Sequence, residues 1–155
     1  MEDVLFAVEP EEAPAAVQDT SMDKYLLFVS DELLFGVPAE YVVEIITNHA
    51  ITSIPLVPGY IRGIINLRGQ IIPIVDIRLL LGHVMREDNC IIILNIDGVM
   101  VGILVDTVQK MVDVDRTTIL PAPPQNSQNL VSGMCALDDE KTMLVFDCAQ
   151  ILNQV

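Results

Sequence analysis

Val57-Pro58-Gly59-Tyr60-Ile61-Arg62-Gly63-Ile64-Ile65-Asn66-Leu67-Arg68-Gly69-Gln70-Ile71-Ile72-Pro73-Ile74-Val75-Asp76-Ile77-Arg78 is the most informative stretch of this chain. It contains two apolar, β-branched runs joined at Asn66-Leu67-Arg68-Gly69, with a charge held at the turn. Gly69 suits a backbone with φ > 0 and Asn66 favours turns, so the joint predicts a tight β-hairpin. Pro73 removes a backbone donor from the second run, which predicts a strand at a sheet edge or bulge.

The chain has 155 residues, 52% of them apolar, enough for one domain with a substantial core. Trp is absent and aromatics are few, so that core is built from Ile, Val, Leu and Met, a composition that favours sheet. The net charge of −14 excludes nucleic acid and anionic membrane surfaces as partners, because both need Lys and Arg. Residues 1–23 carry seven acids and no base, against fifteen acids and eight bases in residues 24–155. Residues 1–22, with Glu9-Pro10-Glu11-Glu12 among small residues, read as a disordered acidic tail, leaving residues 23–155 as the folded domain. The tail lacks the basic start of a secretory signal, and no apolar run is long enough to span a bilayer. Cys90, Cys135 and Cys148 form no CxxC pair and sit in apolar contexts, as small buried hydrophobes do. These features together read as a cytoplasmic protein.

Short strands punctuated by turns dominate the rest. Tyr25-Leu26-Leu27-Phe28-Val29 and Leu33-Leu34-Phe35-Gly36-Val37 flank a hairpin turn at Asp31-Glu32. Pro38 suits the first position of a helix, and Val42, Ile45 and Ile46 recur at helical spacing, which predicts a helix over 39–46. Cys90 to Ile96 reads as a strand buried on both faces, turned by Asp97-Gly98 into an alternating strand from Val99. Further strands are expected over 109–114, 130–136 and 142–146. Asp76 is placed to cap a helix over 77–81 ending at Gly82, and Asp147 a C-terminal helix through Leu152. Pro121 to Ser127 reads as a stiff loop. This pattern predicts barrels rather than an α/β sheet, with no convincing internal repeat.

Catalytic chemistry finds no support in these residues. His49 and His83 have no ligand-spaced partner, which points to exposed or capping roles and no metal site. Asp138-Asp139-Glu140 reads as a solvated turn, and Asp113 with Asp115 as solvent-facing acids rather than a cation site. Gly59, Gly63 and Gly69 are irregularly spaced within strand–turn–strand, unlike a dinucleotide loop. No nucleophile has an evident base, so the chain reads as a non-enzyme without a cofactor.

Residues 66–78 closely resemble the signature of the CheW family, the adaptors that couple chemoreceptors to the histidine kinase CheA. The likeness extends in order over most of 24–153. Lys24-Tyr25-Leu26-Leu27-Phe28 and Leu34-Phe35-Gly36-Val37 are similar to the family's first hairpin, and Val42-Val43-Glu44-Ile45 to its helix motif. Gly102-Ile103-Leu104-Val105-Asp106 resembles its central strand, and Ile119-Leu120-Pro121-Ala122-Pro123 the turn before its last strands. The resemblance implies a mainly β fold of two small, interlocked, five-stranded SH3-like barrels with two or three short helices. It implies a non-catalytic scaffold that binds the CheA regulatory domain and the cytoplasmic tips of methyl-accepting chemoreceptors. Glu44 and Arg68 match a family ion pair near these binding surfaces, and Val42 an apolar contact position. On their own terms, Arg68 is also readable as a hairpin cap, a reading ranked behind the functional one, and Val42 equally as core. Ile46-Thr47-Asn48 departs from the basic residue and glycine of many relatives, which leaves open the receptor class and a pilus-type array. Three alternatives remain: the CheW-like half of a larger CheV-type architecture, disfavoured by the lack of a receiver domain in this chain; a β-barrel carrying a small ligand; and an enzyme, disfavoured by the missing constellation.

Overall fold

The structure, a computed structural model, describes residues 21–80, 90–122 and 130–153. Residues 1–20 of the expected tail, His83, the expected helix end at Gly82 and most of the proline-rich loop lie outside the described residues; Met22, placed in that tail, instead opens the first strand. Strand β1 (Met22–Ser30) turns back as β2 (Leu33–Pro38) through Asp31 and Glu32, both at positive φ (54° and 66°). The hairpin is the expected one, with Phe28 opposite Phe35.

After Pro38 the prediction of a helix over 39–46 fails. A 3-10 turn covers only Ala39–Tyr41, and β3 (Val42–Thr47) follows. Five of its six residues are β-branched, stiff at χ1 and better suited to a pleated surface than to a helix. β3 pairs with β6 (Cys90–Ile96), shifting register between Val42 (opposite Leu94) and Glu44 (opposite Ile93). That shift puts apolar side chains on both faces, which imitates helical spacing: Val42 packs toward one core and Ile46 toward another.

β4 (Ile61–Leu67) and β5 (Gln70–Asp76) form the hairpin expected at residues 66–69. Arg68 and Gly69 occupy its two-residue loop at φ 52° and 86°, and Asn66 Oδ1 accepts from the Gly69 N–H at 2.9 Å. The same device joins β6 to β7 (Val99–Val105): Asp97 and Gly98 at φ 53° and 88°, with Asn95 Oδ1 accepting from the Gly98 N–H. Of the edge or bulge that Pro73 predicted, the edge fails, since β5 lies between β4 and β7, while the β4–β5 register does shift between Ile61 and Gly63, next to Ile64 opposite Pro73. Pro73 is tolerated because the parallel ladder to β7 begins one residue later, at Ile74 opposite Gly102.

The remaining strands are β8 (Thr107–Asp115), β9 (Leu120–Pro121), β10 (Val131–Ala136) and β11 (Thr142–Phe146), as expected apart from the two-residue β9. The strands form two sheets, ordered β8-β1-β2-β11-β10-β9 and β3-β6-β7-β5-β4. The first therefore has six strands rather than five, its sixth being β9. Both sheets join two hairpins through a parallel central pair, β2 with β11 and β5 with β7. In both, the chain then leaves through an aspartate that opens a short helix. Asp76 Oδ1 accepts from the Arg78 N–H in α1 (Ile77–Leu80), and Asp147 Oδ1 from the Gln150 N–H in α2 (Cys148–Leu152). No helix among the described residues is long and apolar enough to cross a membrane.

Three apolar clusters follow from this arrangement. Tyr25, Leu27, Cys135, Met143 and Val145 fill the inner face of the six-stranded sheet, and Ile65, Ile72, Ile74, Ile91, Ile93 and Leu104 that of the five-stranded sheet. The third and largest lies between the sheets and draws on both: Leu26, Phe28, Phe35 and Phe146 meet Val75, Ile92, Val101 and Ile103. Phe28 stacks on Phe35 at 5.2 Å between centroids, and Phe146 meets both edge-on. Each such buried side chain is worth about 1.5–3 kcal/mol. β6 and β7 are buried on both faces because each contributes to an inner cluster and to the shared one.

Candidate functional site

Glu44 sits on β3 and Arg68 at the tip of the β4–β5 turn, although β3 and β4 are opposite edges of their sheet. The sheet curls enough for Arg68 Nη2 to donate to Glu44 Oε1. Arg68 is 67% exposed and Glu44 28%, so the pair lies at the surface. Arg68 holds a left-handed backbone (φ 52°) that costs a residue with a Cβ about 1–2 kcal/mol and that glycine or asparagine adopts readily. Local backbone chemistry therefore does not call for arginine here.

The sequence expectation for Val42 is only partly met. The register shift turns it from the Glu44 side toward the core between the sheets, where it is half-buried against that cluster. The exposed apolar side chains on β3 are Val43 (47%) and Ile45 (42%), with Ile71 (55%) beside the Arg68 turn opposite Asn66. Sequence reasoning missed these three, because inward and outward positions on β3 cannot be told apart before the register shift is known.

It also missed a buried ionic cluster. Asp76, fully buried, accepts from Arg78 Nε at 3.2 Å, from Arg78 Nη2 at 3.3 Å and from Arg62 Nη1 at 3.1 Å. Arg78 is 2% exposed, and its Nη1 donates to Asp106 Oδ1 at 2.9 Å. Asp106 Oδ2 in turn accepts from the Asp31 backbone N–H at 2.7 Å. The sequence signal is an Asp-x-Arg at a strand end, where Asp76 by itself reads as a helix cap.

Other titratable groups have structural partners. Asp113 pairs with Lys24 at 2.9 Å, while Asp115 accepts from the Thr117 N–H and hydroxyl, and the backbone donor first holds its carboxyl below the usual range. The hydrogen bond from Arg116 likewise depresses Asp23. Asp138 Oδ1 accepts from the Glu140 and Lys141 N–H groups, as in the solvated turn expected there. His49 Nδ1 lies 2.9 Å from the Ala50 carbonyl oxygen on an exposed turn. Burial, helped by the Asp147 carboxylate, pushes the Cys148 thiol up to about 12, and burial raises Cys90 as well. Neither is an activated nucleophile. No group of three or more metal-ligating side chains occurs among the described residues. Both sheet interiors are packed with side chains, and the hollow of about 340 Å³ beside Leu33, Leu34 and Leu144 lies open at the surface.

A two-sheet β fold with an exposed ion pair, and with Val43, Ile45 and Ile71 exposed on the same sheet, has the features of a binding module. A family model described as the CheW-like domain matches residues 24–155. The chain is 30% identical over 141 residues to the chemotaxis protein CheW of Klebsiella aerogenes, covering 87% of this chain and 84% of that one. It is 31% identical over 119 residues to the chemotaxis protein CheW of Treponema pallidum (72% of this chain, 69% of the relative). It is 29% identical over 117 residues to protein FrzA of Myxococcus xanthus (74% and 72%). The crystal structure of the scaffolding protein TtCheW from Thermoanaerobacter tengcongensis superposes with a TM-score of 0.74 at 35% identity, covering 81% of this chain and 88% of that one. This chain belongs to the CheW family, and it is a chemotaxis adaptor of that family.

Proposed function

We propose that this protein couples the regulatory domain of a CheA histidine kinase to the cytoplasmic tips of chemoreceptors. It would work in the cytoplasm beside the membrane array, holding both partners in a fixed geometry without chemistry of its own. Residues 22–155 serve as the coupling domain and residues 1–21 as an appended acidic tail. The binding surface takes in the β3 edge and the β4–β5 turn of the five-stranded sheet: Arg68 and Glu44, the exposed Val43, Ile45 and Ile71, and Val42, half-buried at the start of β3. The observation that carries this reading is the exposed arginine kept in a left-handed turn position and aimed across the sheet at Glu44. Asp31, Glu32 and Asp97 hold the same backbone in the other hairpin turns, so what supports a functional role for Arg68 is its side chain's reach to Glu44 on the far strand. A docked partner would remove water from Val43, Ile45 and Ile71, the kind of apolar centre that carries most of an interface's energy.

Co-sedimentation with receptor signalling fragments and CheA, with autophosphorylation measured in the same tubes, tests the proposal. Wild type should associate and stimulate the kinase, and a folded Arg68→Ala variant should lose both. Absence of association with fragments from several receptor classes would refute it.

A further inference from the structure

The core between the two sheets is apolar, and apolar contact is non-directional: it resists separation of the layers far better than it fixes their angle. The buried ionic cluster crosses this boundary. Arg78 and Asp76 belong to the end of β5 and to α1, on the five-stranded sheet. Asp106 lies where the chain passes from β7 in that sheet to β8 in the other. Its carboxylate holds the Asp31 N–H in the β1–β2 turn, and its own N–H donates to the Val29 carbonyl oxygen at 3.0 Å. The guanidinium of Arg78 therefore spans from Asp76 on one sheet to an anchor of the other, its Nε and Nη2 on the first carboxylate and its Nη1 on the second.

We infer that the Asp76–Arg78–Asp106 bridge is a positioning device that sets the angle between the two sheets and through it the geometry in which the adaptor holds its partners. The inference rests on the coupling function proposed above. Two features favour it over a plain contribution to stability. A planar fork bonded to a carboxylate on each side adds a directional constraint to the packing between the sheets. Buried ion pairs are also poor stabilisers: well-packed apolar residues in their place are often neutral or better, so their best-attested value is specificity of arrangement. With Arg62 on Asp76 the cluster holds two Arg and two Asp, so no net charge is buried.

The test uses the full chain and two variants. Arg78→Met with Asp106→Asn removes the charged bridge while leaving Asp76 paired with Arg62 and an oxygen acceptor for the Asp31 N–H. Arg78→Lys keeps the charge on a single nitrogen and loses the planar fork that holds the two carboxylates in fixed directions. Residual dipolar couplings of the β1–β2 and β6–β7 amides should fit one alignment tensor in wild type and fail to do so in the double variant. Binding to the kinase regulatory domain and to receptor fragments, measured separately, should stay within about threefold of wild type. Stimulation of the kinase in the ternary assembly should fall by about tenfold, a usual coupling factor between distinct sites. Arg78→Lys should fall between the two. Unchanged couplings with full stimulation would overturn the inference, as would failure of both variants to fold, which would assign the cluster to stability alone. If wild type binds neither partner, the adaptor reading fails by itself, and the dipolar couplings still decide the angle-setting role.

Discussion

Arg68, in a turn at one side of the five-stranded sheet, donates to Glu44 on the strand at its far edge, so one exposed ion pair spans the two ends of a curled sheet. Val43 and Ile45 are exposed on the same strand as Glu44. Exposed pairs of this kind contribute at most about 1 kcal/mol, so the contact shapes a surface more than it holds the fold.

Arg68→Asn should separate the two roles. Asparagine tolerates the left-handed backbone at φ 52°, so the urea midpoint should be equal to or above that of wild type. Affinity for the partners should fall by about tenfold, or 1.4 kcal/mol. Matching losses of stability and affinity would make Arg68 a hairpin residue only.

Asp76→Ala should do the reverse. It would leave the buried guanidinium of Arg78 and the nearby Arg62 without their shared carboxylate, at a loss of about 3–5 kcal/mol. Glu44→Ala, at the exposed pair, should lose no more than about 1 kcal/mol. Urea denaturation of both variants makes the comparison, and equal losses would contradict the contrast in burial.

Gly63→Ala should be severe for its size. Gly63 lies at φ 146°, and a Cβ there would sit 2.1 Å from the Thr52 carbonyl oxygen, which accepts from the Ile64 N–H. Strain and backbone displacement together predict a loss of about 2–4 kcal/mol. Gly59→Ala, with open space around its Cβ position, is the control and should lose little.

Cys148 makes stability depend on alkaline pH. Its thiol is lifted from an ordinary 9.0 to about 12, chiefly by burial. Between these values the folded chain keeps a proton that the unfolded chain has lost. Stability from this group is therefore complete below about pH 9 and declines as pH rises toward 12. Denaturation midpoints from pH 8 to 10.5 should fall more steeply in wild type than in Cys148→Ala, and parallel slopes would count against a buried thiol.

The local parts of this fold were legible in the chain. Asn66 with Gly69 and Asn95 with Gly98 make their turns from the chemistry of four consecutive residues, and Asp76 and Asp147 open their helices through donors two or three residues ahead. The same sequence determined a β-rich domain, and residues 66–78 pointed to the family. The helix expected over 39–46 failed because the spacing of Val42, Ile45 and Ile46 fits two periods, and pairing with β6 chose the strand. Pro73 misled on the sheet edge for a related reason: how far a neighbouring ladder extends is not written in the strand itself. Tertiary structure alone decided that Glu44 and Arg68 meet across 24 positions, and that Arg78 finds Asp106 across 28. Such contacts depend on how far a sheet curls and which layers share a core, quantities summed over many apolar contacts and set by no single stretch of residues.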